Sequence, residues 1–362
     1  MRSGRSERDR PGRPQPAAVV VAFVVLAILA TISLAGGIEL ARTTRCDPAE
    51  DARWVKYRSK VPGPHPNALW ARHWWVGEDR SECDYRLMAR HIRQLGLTDV
   101  FFHSGPFRPD GTVDPARYRY AQRLVDAMHR LVPGVRIQAY LGQFEGTRPN
   151  TDDLDLTNAD NLARVVGTAK IFLDFGFDGI HYDIEPIPVD SQRFVDLFDR
   201  TRALTLERGG VLSTAIEERR PDPEDGWGID SDRSHPTDDW LRVLSSHVDQ
   251  LAVMTYDAGQ KTDEDFRRWT AYQTKEIAAV VGDRTTIFMG ISDGPWDGNG
   301  NPTETARNGS VGVMRGVQGL PPEIARNVGA GVFSDWITTE DEYSVIEAEW
   351  VLPSGSAVAA SR

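Results

Sequence analysis

Cysteine is nearly absent from this 362-residue chain, which has only Cys46 and Cys83. Two thiols cannot build a structural zinc site alone, and no histidine cluster at ligand spacing assists them. Lysine is scarce too, being confined to Lys56, Lys60, Lys170, Lys261 and Lys275. Arginine supplies the other basic residues, a bias of the kind a GC-rich bacterial genome produces. No Gly-rich phosphate turn follows the first strand candidate, where the chain reads Val76-Gly77-Glu78-Asp79, so a doubly wound nucleotide-binding sheet lacks its signature. Internal repeats are missing. The run from Asp297 to Asn301 begins like a calcium loop, but Pro302 and Asn308 stand where that loop needs Gly and Glu. Asp152, Asp153 and Asp155 precede a helix candidate and complement its dipole rather than mark a metal. No metal or cofactor is expected.

One long uncharged stretch is present. Ala17 to Gly37 is almost wholly apolar and about the 20 residues that a membrane span requires. Residues 1–16 before it carry Arg2, Arg5, Arg8, Arg10 and Arg13 against only Glu7 and Asp9, an asymmetry that holds the N-terminus in the cytoplasm. The expectation is a basic cytoplasmic tail, a single transmembrane helix over 17–37, a stalk over 38–66, an extracytoplasmic domain over 67–352 and a disordered tail over 353–362. A cleaved signal peptide with Ser33-Leu34-Ala35 as its small-residue site, and hence secretion, is the alternative. Removing the five arginines and two acids of the tail (net +3) from the whole-chain −11 leaves about −14 for the remainder, which argues against nucleic acid or anionic lipid as its partner. In an oxidising compartment, a disulfide from Cys46 to Cys83 would tie the stalk to the first loop of the domain.

Beyond the stalk, short apolar runs alternate with amphipathic segments of helix length. Strand candidates are 68–76, 99–103, 135–141, 179–185, 211–216, 250–256, 286–291 and 331–336. Helix candidates are 84–95, 115–131, 159–175, 191–208, 238–247 and 263–281. Asp114 before Pro115 and Asp190 before Ser191 read as N-caps, and Gly96, Gly134 and Gly176 as the left-handed residues that end helices. Eight strand–helix units over roughly 280 residues match a (β/α)8 TIM barrel.

Within the fourth strand candidate, His181, Asp183 and Glu185 alternate with Ile180, Tyr182 and Ile184. Period two puts the imidazole and both carboxyl groups on one face. In a closed barrel that face is the interior, where an ionised carboxylate is costly unless paired, and function is the usual reason to accept the cost. Asp183 and Glu185 would lie about 7 Å apart along the strand, close enough for one charge to raise the other's proton affinity.

The segment Asp178-Gly179-Ile180-His181-Tyr182-Asp183-Ile184-Glu185 resembles the fourth-strand motif of the chitinase-type glycoside hydrolases of family 18, with His181 where that family has the first Asp of Asp-x-Asp-x-Glu. Met254-Thr255-Tyr256-Asp257 is similar to its sixth-strand signature, and Gly331-Val332-Phe333-Ser334-Asp335-Trp336 to its closing strand. The resemblance implies an enzyme cleaving β-linked N-acetylglucosamine-containing glycan, with the substrate's own acetamido oxygen as nucleophile. By that resemblance Glu185 is the acid, Asp183 orients the acetamido group, and Tyr256 donates a hydrogen bond to it. Asp257 contacts the sugar and Trp336 forms its apolar floor, while His181, Met254 and Gln143 complete the substrate contacts. In the family the residue at position 181 shares a proton with the next Asp; a histidine there either bonds Asp183 or is a core residue satisfied by a neighbouring hydroxyl. The third strand, Ala139-Tyr140-Leu141-Gly142-Gln143, departs from the family's Ser-x-Gly-Gly.

Two other readings stay open. Lectin-like barrels of this kind typically lose the acid, whereas Glu185 is kept here. Glu217, just past the fifth strand, would allow a two-carboxylate mechanism on a non-acetamido sugar if it faced Glu185 at about 5 Å. Trp74, Trp75, Trp227 and Trp296 are candidate sugar-stacking residues, and His103 a candidate cleft residue. Nothing in the sequence fixes the oligomeric state.

Overall fold

The computed structural model describes residues 65–146, 151–221, 224, 227, 235–292 and 302–352. Eight strands, β1 (Ala68–Ala71), β2 (Asp99–His103), β3 (Arg136–Phe144), β4 (Gly179–Glu185), β5 (Val211–Ile216), β6 (Gln250–Val253), β7 (Thr286–Ser292) and β8 (Val328–Phe333), close into a barrel in chain order. Every neighbouring pair is parallel, including β1 with β8. Parallel strands require crossovers. Helices α1 (Glu82–Gln94), α2 (Ala121–Leu131), α3 (Ala159–Asp174), α4 (Gln192–Glu207), α5 (Asp238–His247), α6 (Asp263–Val281), α7 (Ala306–Gln318) and α8 (Glu340–Ile346) supply them. This is the (β/α)8 barrel expected from the sequence.

The proposed tail, anchor and stalk up to residue 64, and the tail from 353, lie outside the described residues, as do Cys46 and Trp296. Among the described residues no helix is long and apolar enough to cross a membrane. Cys83 is disulfide-bonded.

The period-two reading of β4 divides its side chains as expected. Ile180, Tyr182 and Ile184 join the large apolar layer between barrel and helices, and the Tyr182 hydroxyl meets Thr201 of α4 at 2.9 Å. The opposite face points inward, toward a small aromatic layer of Trp70, Phe101 and Phe288 with Tyr140 and Phe333 against it. At the other end of the barrel the fully buried Asp99 accepts both Arg136 Nε and Nη2 at 2.7 Å, together with Gln138 at 2.7 Å and Gln250 at 3.0 Å. Arg136 is therefore committed far from Asp183.

Several boundaries shift for identifiable reasons. The first strand stops at Ala71 because Asp335, just past β8, accepts Arg72 N at 2.8 Å and Trp75 Nε1 at 2.7 Å, pulling Trp74–Gly77 into a helical turn. The sixth stops at Val253, where Thr255 turns its hydroxyl onto Gly290 O at 2.6 Å. The eighth begins three residues early, since Asn67 Oδ1 holds Ala330 N at 3.1 Å. Asp114 caps only a short 3-10 turn, Pro115–Tyr118, ahead of α2. Asp190 is not a cap: it takes φ 62°, and Ser191 occupies the N-cap position of α4. Gly96, Gly134 and Gly176 do adopt positive φ. Helices α7 and α8 escaped the sequence reading. The first is rich in glycine, because Gly312 and Gly316 let it lie directly on Thr270 and Thr274 of α6.

Candidate active site

At the C-terminal ends of β2, β3 and β4, His103, Pro106, Tyr140, Gly142, Gln143, Phe144, Asp183 and Glu185 line a cleft of about 200 Å³. This is the end of a (β/α)8 barrel at which chemistry is done. Burial pushes the Glu185 carboxyl up to about 9, and the Asp183 charge, a hydrogen bond shared with Asp183 and the charge of Glu217 push the same way. Glu185 therefore holds its proton at neutral pH, the state a general acid requires.

Asp183 is fixed by a residue the sequence reading quoted but did not assign. Tyr140 donates its hydroxyl to Asp183 Oδ2 at 2.5 Å, and burial beside that carboxylate raises the phenol well above its ordinary range. Tyr140 thus remains a donor at any working pH. Asp183 Oδ1 is buried, and among the described residues no N–H or hydroxyl other than the carboxyl proton of Glu185 is there to donate to it. An N–H brought by a ligand is the other donor that this oxygen could take. The signal for Tyr140 was the strand register, in which it stands beside His181.

His181 lies one layer below Asp183 and is fully buried. The indole N–H of Trp70 donates to its Nε2 at 3.0 Å, and its Nδ1 lies 2.7 Å from Ser213 Oγ. Because indole can only donate, Nε2 must be the acceptor and Nδ1 the protonated nitrogen, giving its proton to Ser213. The ring stacks on Phe101 at 3.8 Å and 8°, and burial lowers its pKa to about 3. Of the two roles left open for it, the core residue satisfied by a hydroxyl is the one this geometry fits, and the ring has no hydrogen-bonding atom left for a sugar.

Tyr256 sits just past β6 with its ring stacked on Phe333 at 4.9 Å. A side chain at Gly290 would strike that ring at 2.8 Å, so glycine is needed there. Burial first, then the charges of Asp183 and Glu185, raise the Tyr256 phenol well above its usual range, which puts it beside the carboxyl pair as a donor. Asp257 is exposed at the rim with φ 61°. Its backbone is held by Glu304, which accepts Asp257 N at 2.6 Å and Ala258 N at 2.9 Å.

The aromatic ring against Tyr256 is Phe333, with Trp336 edge-on behind it at 5.3 Å. Phe333 also packs against the inward aromatic layer of Trp70, Phe101 and Phe288. Gln143 lines the cleft, but its amide is engaged with Phe107 O at 2.9 Å and Phe144 N at 2.8 Å. Phe144 beside it is 59% exposed, a free aromatic face at the lip.

Met254 and Glu217 border a second small hollow with Glu185. The charge of Glu217 acts on both Glu185 and Glu218. Glu218 is buried, accepts Trp269 Nε1 at 3.4 Å, and is pushed up to about 8 by burial. Carboxylates of Glu217 and Glu218 and the ring of His235 have donor atoms within 4.8 Å of one another, a cluster the sequence reading did not single out. Among the tryptophans, Trp75 is core and Trp74 lies under the guanidinium groups of Arg72 and Arg80, each at 4.3 Å. Trp227 packs on Trp269 and Tyr272.

No family model matches the chain. A 155-residue stretch is 29% identical to the chloroplastic protein translocase subunit SecA of Ostreococcus lucimarinus, covering 42% of this chain and 16% of that protein, so the chain spans about a sixth of the length of that curated relative. The fold is matched far more broadly. A family GH18 chitinase from Cycas revoluta superposes with a TM-score of 0.54 at 15% identity over 79% of this chain and 99% of that one. A group IV chitinase of Ostrinia furnacalis gives 0.52 at 11% identity over 79% and 99%. The spore cortex-lytic enzyme SleL of Bacillus cereus gives 0.51 at 12% identity over 79% and 74%. This chain is built on the same barrel fold as chitinase-type glycoside hydrolases.

Proposed function

We propose that this protein is a glycoside hydrolase that cuts β-linked glycan containing N-acetylglucosamine, with Glu185 as acid and the substrate's acetamido oxygen as nucleophile. The observation that carries this reading is the pairing of a protonated Glu185 with the Asp183 that shares its hydrogen bond and is held by Tyr140. In the reaction Glu185 gives its proton to the glycosidic oxygen as the acetamido oxygen attacks the anomeric carbon. Asp183 takes the acetamido N–H and its charge offsets the oxazolinium that forms. Water then adds to the anomeric carbon and returns a proton to Glu185. Tyr140 keeps Asp183 in place, Tyr256 donates to the acetamido oxygen, and Phe333 with Trp336 gives the sugar an apolar floor.

The N-terminal sequence supports an exported enzyme held at the cell membrane by a single span, with the barrel outside the cytoplasm. The test is turnover of an N-acetylglucosamine oligomer by the full chain. Glu185→Gln, nearly isosteric but unable to deliver a proton, should lose about 10²- to 10⁴-fold or more in rate. Glu217→Gln should matter little. Hydrolysis of plain glucosides, abolished by Glu217→Gln, would instead establish a two-carboxylate mechanism, and wild-type rate in Glu185→Gln would remove the acid assignment. Tight oligomer binding without any cleavage would make the barrel a lectin.

A further inference from the structure

The cleft is electrically lopsided. Its β4–β6 side carries Asp183, Glu185, Glu217 and Glu218, whereas the β1–β2 side carries imidazoles and a guanidinium. His103, at the end of β2, faces the cleft beside Tyr140, with ring centroids 4.7 Å apart. Among the described residues its ring nitrogens make no hydrogen bond. Behind it stands His73, 5.8 Å away. His73 fits there because Gly77 has no side chain, since a Cβ would strike its ring at 2.4 Å and the backbone oxygen of Arg117 at 3.0 Å.

Arg117 is exposed on the short turn ahead of α2, and only its Nε is engaged, with Gly105 O at 3.2 Å, next to the cleft-lining Pro106. Among the described residues no carboxylate pairs with it, although most exposed arginines of this domain have one, such as Arg108 with Asp114 and Arg130 with Glu82. Its charge lowers both imidazoles, next after burial for His73 and after burial and His73 for His103. Glu78 acts on His73 in the opposite sense but is itself paired with Arg80 at 2.8 Å. In a chain of net charge −11, an unpaired guanidinium beside two uncharged imidazoles at the lip of an acidic cleft lacks an anion.

We propose that Arg117 and His103 form an anion-binding subsite that takes a carboxylate borne by the glycan itself, with His73 supporting His103 from behind. This rests on the glycan reading above and narrows it to a polymer whose sugars carry an acidic substituent. Arg117 supplies the charge and two parallel N–H donors, and His103 one N–H. The substituent would lie on one side of the cleft while the acetamido group meets Asp183 on the other, fixing which way round the polymer binds.

Calorimetric binding to the full-length Glu185→Gln protein tests this without requiring turnover. The two probes are a neutral N-acetylglucosamine oligomer and an oligomer of equal length in which alternate sugars carry a lactyl ether carboxylate. The acidic oligomer should bind more tightly. Arg117→Gln should lower the ratio of the two affinities by about tenfold, the scale of one charge-assisted hydrogen bond, and His103→Gln should lower it less. Methyl-esterifying the lactyl groups should have the same effect as Arg117→Gln. An affinity ratio that Arg117→Gln does not move, with both oligomers still bound, overturns the subsite and leaves the glycosidase. Binding of neither oligomer overturns both.

Discussion

Replacing Asp183 by Asn should move the alkaline limb of the activity profile. Glu185 is protonated up to about 9 because it is buried and because Asp183, Asp183's shared hydrogen bond and Glu217 all favour the proton. The two carboxyl groups are within hydrogen-bonding reach of each other, and at an effective dielectric constant of about 20 two charges roughly 4 Å apart interact by about 4 kcal/mol at most. Burial, the larger cause, survives the substitution. The alkaline limb of Asp183→Asn is therefore expected well below the wild-type limb, still above an ordinary carboxyl. The assay is kcat/KM for an oligomer with an unactivated leaving sugar from about pH 4 to 11, which reports the free enzyme's essential acid. The rate of Asp183→Asn will be low, but the shape of its profile carries the answer. A wild-type limb at ordinary carboxylate pH, or a limb that stays near 9 in the variant, refutes the electrostatic account.

Tyr140→Phe removes the 2.5 Å bond to Asp183 and should lower kcat by about 10- to 100-fold while the circular dichroism spectrum stays native. His181→Ala strips the ring stacked on Phe101 and orphans the Trp70 N–H, so denaturant unfolding should show a loss of about 3 kcal/mol or more. Glu218, raised from the usual 4.5 to about 8, keeps its proton in the folded chain where the unfolded chain has released it. Its contribution to stability is therefore full below about pH 4.5 and is lost as pH rises through 8. Glu218→Gln should make the fall in Tm between those pH values shallower, as thermal melts across that range would record.

The barrel was legible because strand and helix periods differ and the chain alternates between them. On β4 the alternation alone placed Asp183 and Glu185 on one inward face. Tyr140 was harder to see, since its part depends on the register between β3 and β4, which no single-strand pattern encodes. The stacking of Phe333 on Tyr256 was not legible because the sequence does not show where β8 starts, and Asn67, more than 260 residues away, decides that. Glu304 was invisible for the same reason, acting only through backbone amides of the loop after β6. Helix α7 was missed because glycine packing against α6 outweighs the low helix propensity of Gly312 and Gly316.

Having a neutral imidazole under Asp183, with both nitrogens committed to Trp70 and Ser213, closes the barrel interior to proton traffic. Where an acidic residue at that position could pass a proton down and back, this chain has an insulator. The exchangeable proton must stay among Glu185, Asp183 and whatever occupies the mouth, because Tyr140 does not release its own in the working range. In the glycosidase proposed above, such a site would carry a single proton per catalytic cycle and recharge from the solvent side, through the opening that the glycan would occupy. Each turnover would then need water in the mouth before the acid is ready again, tying the reset of the chemistry to the movement of the glycan.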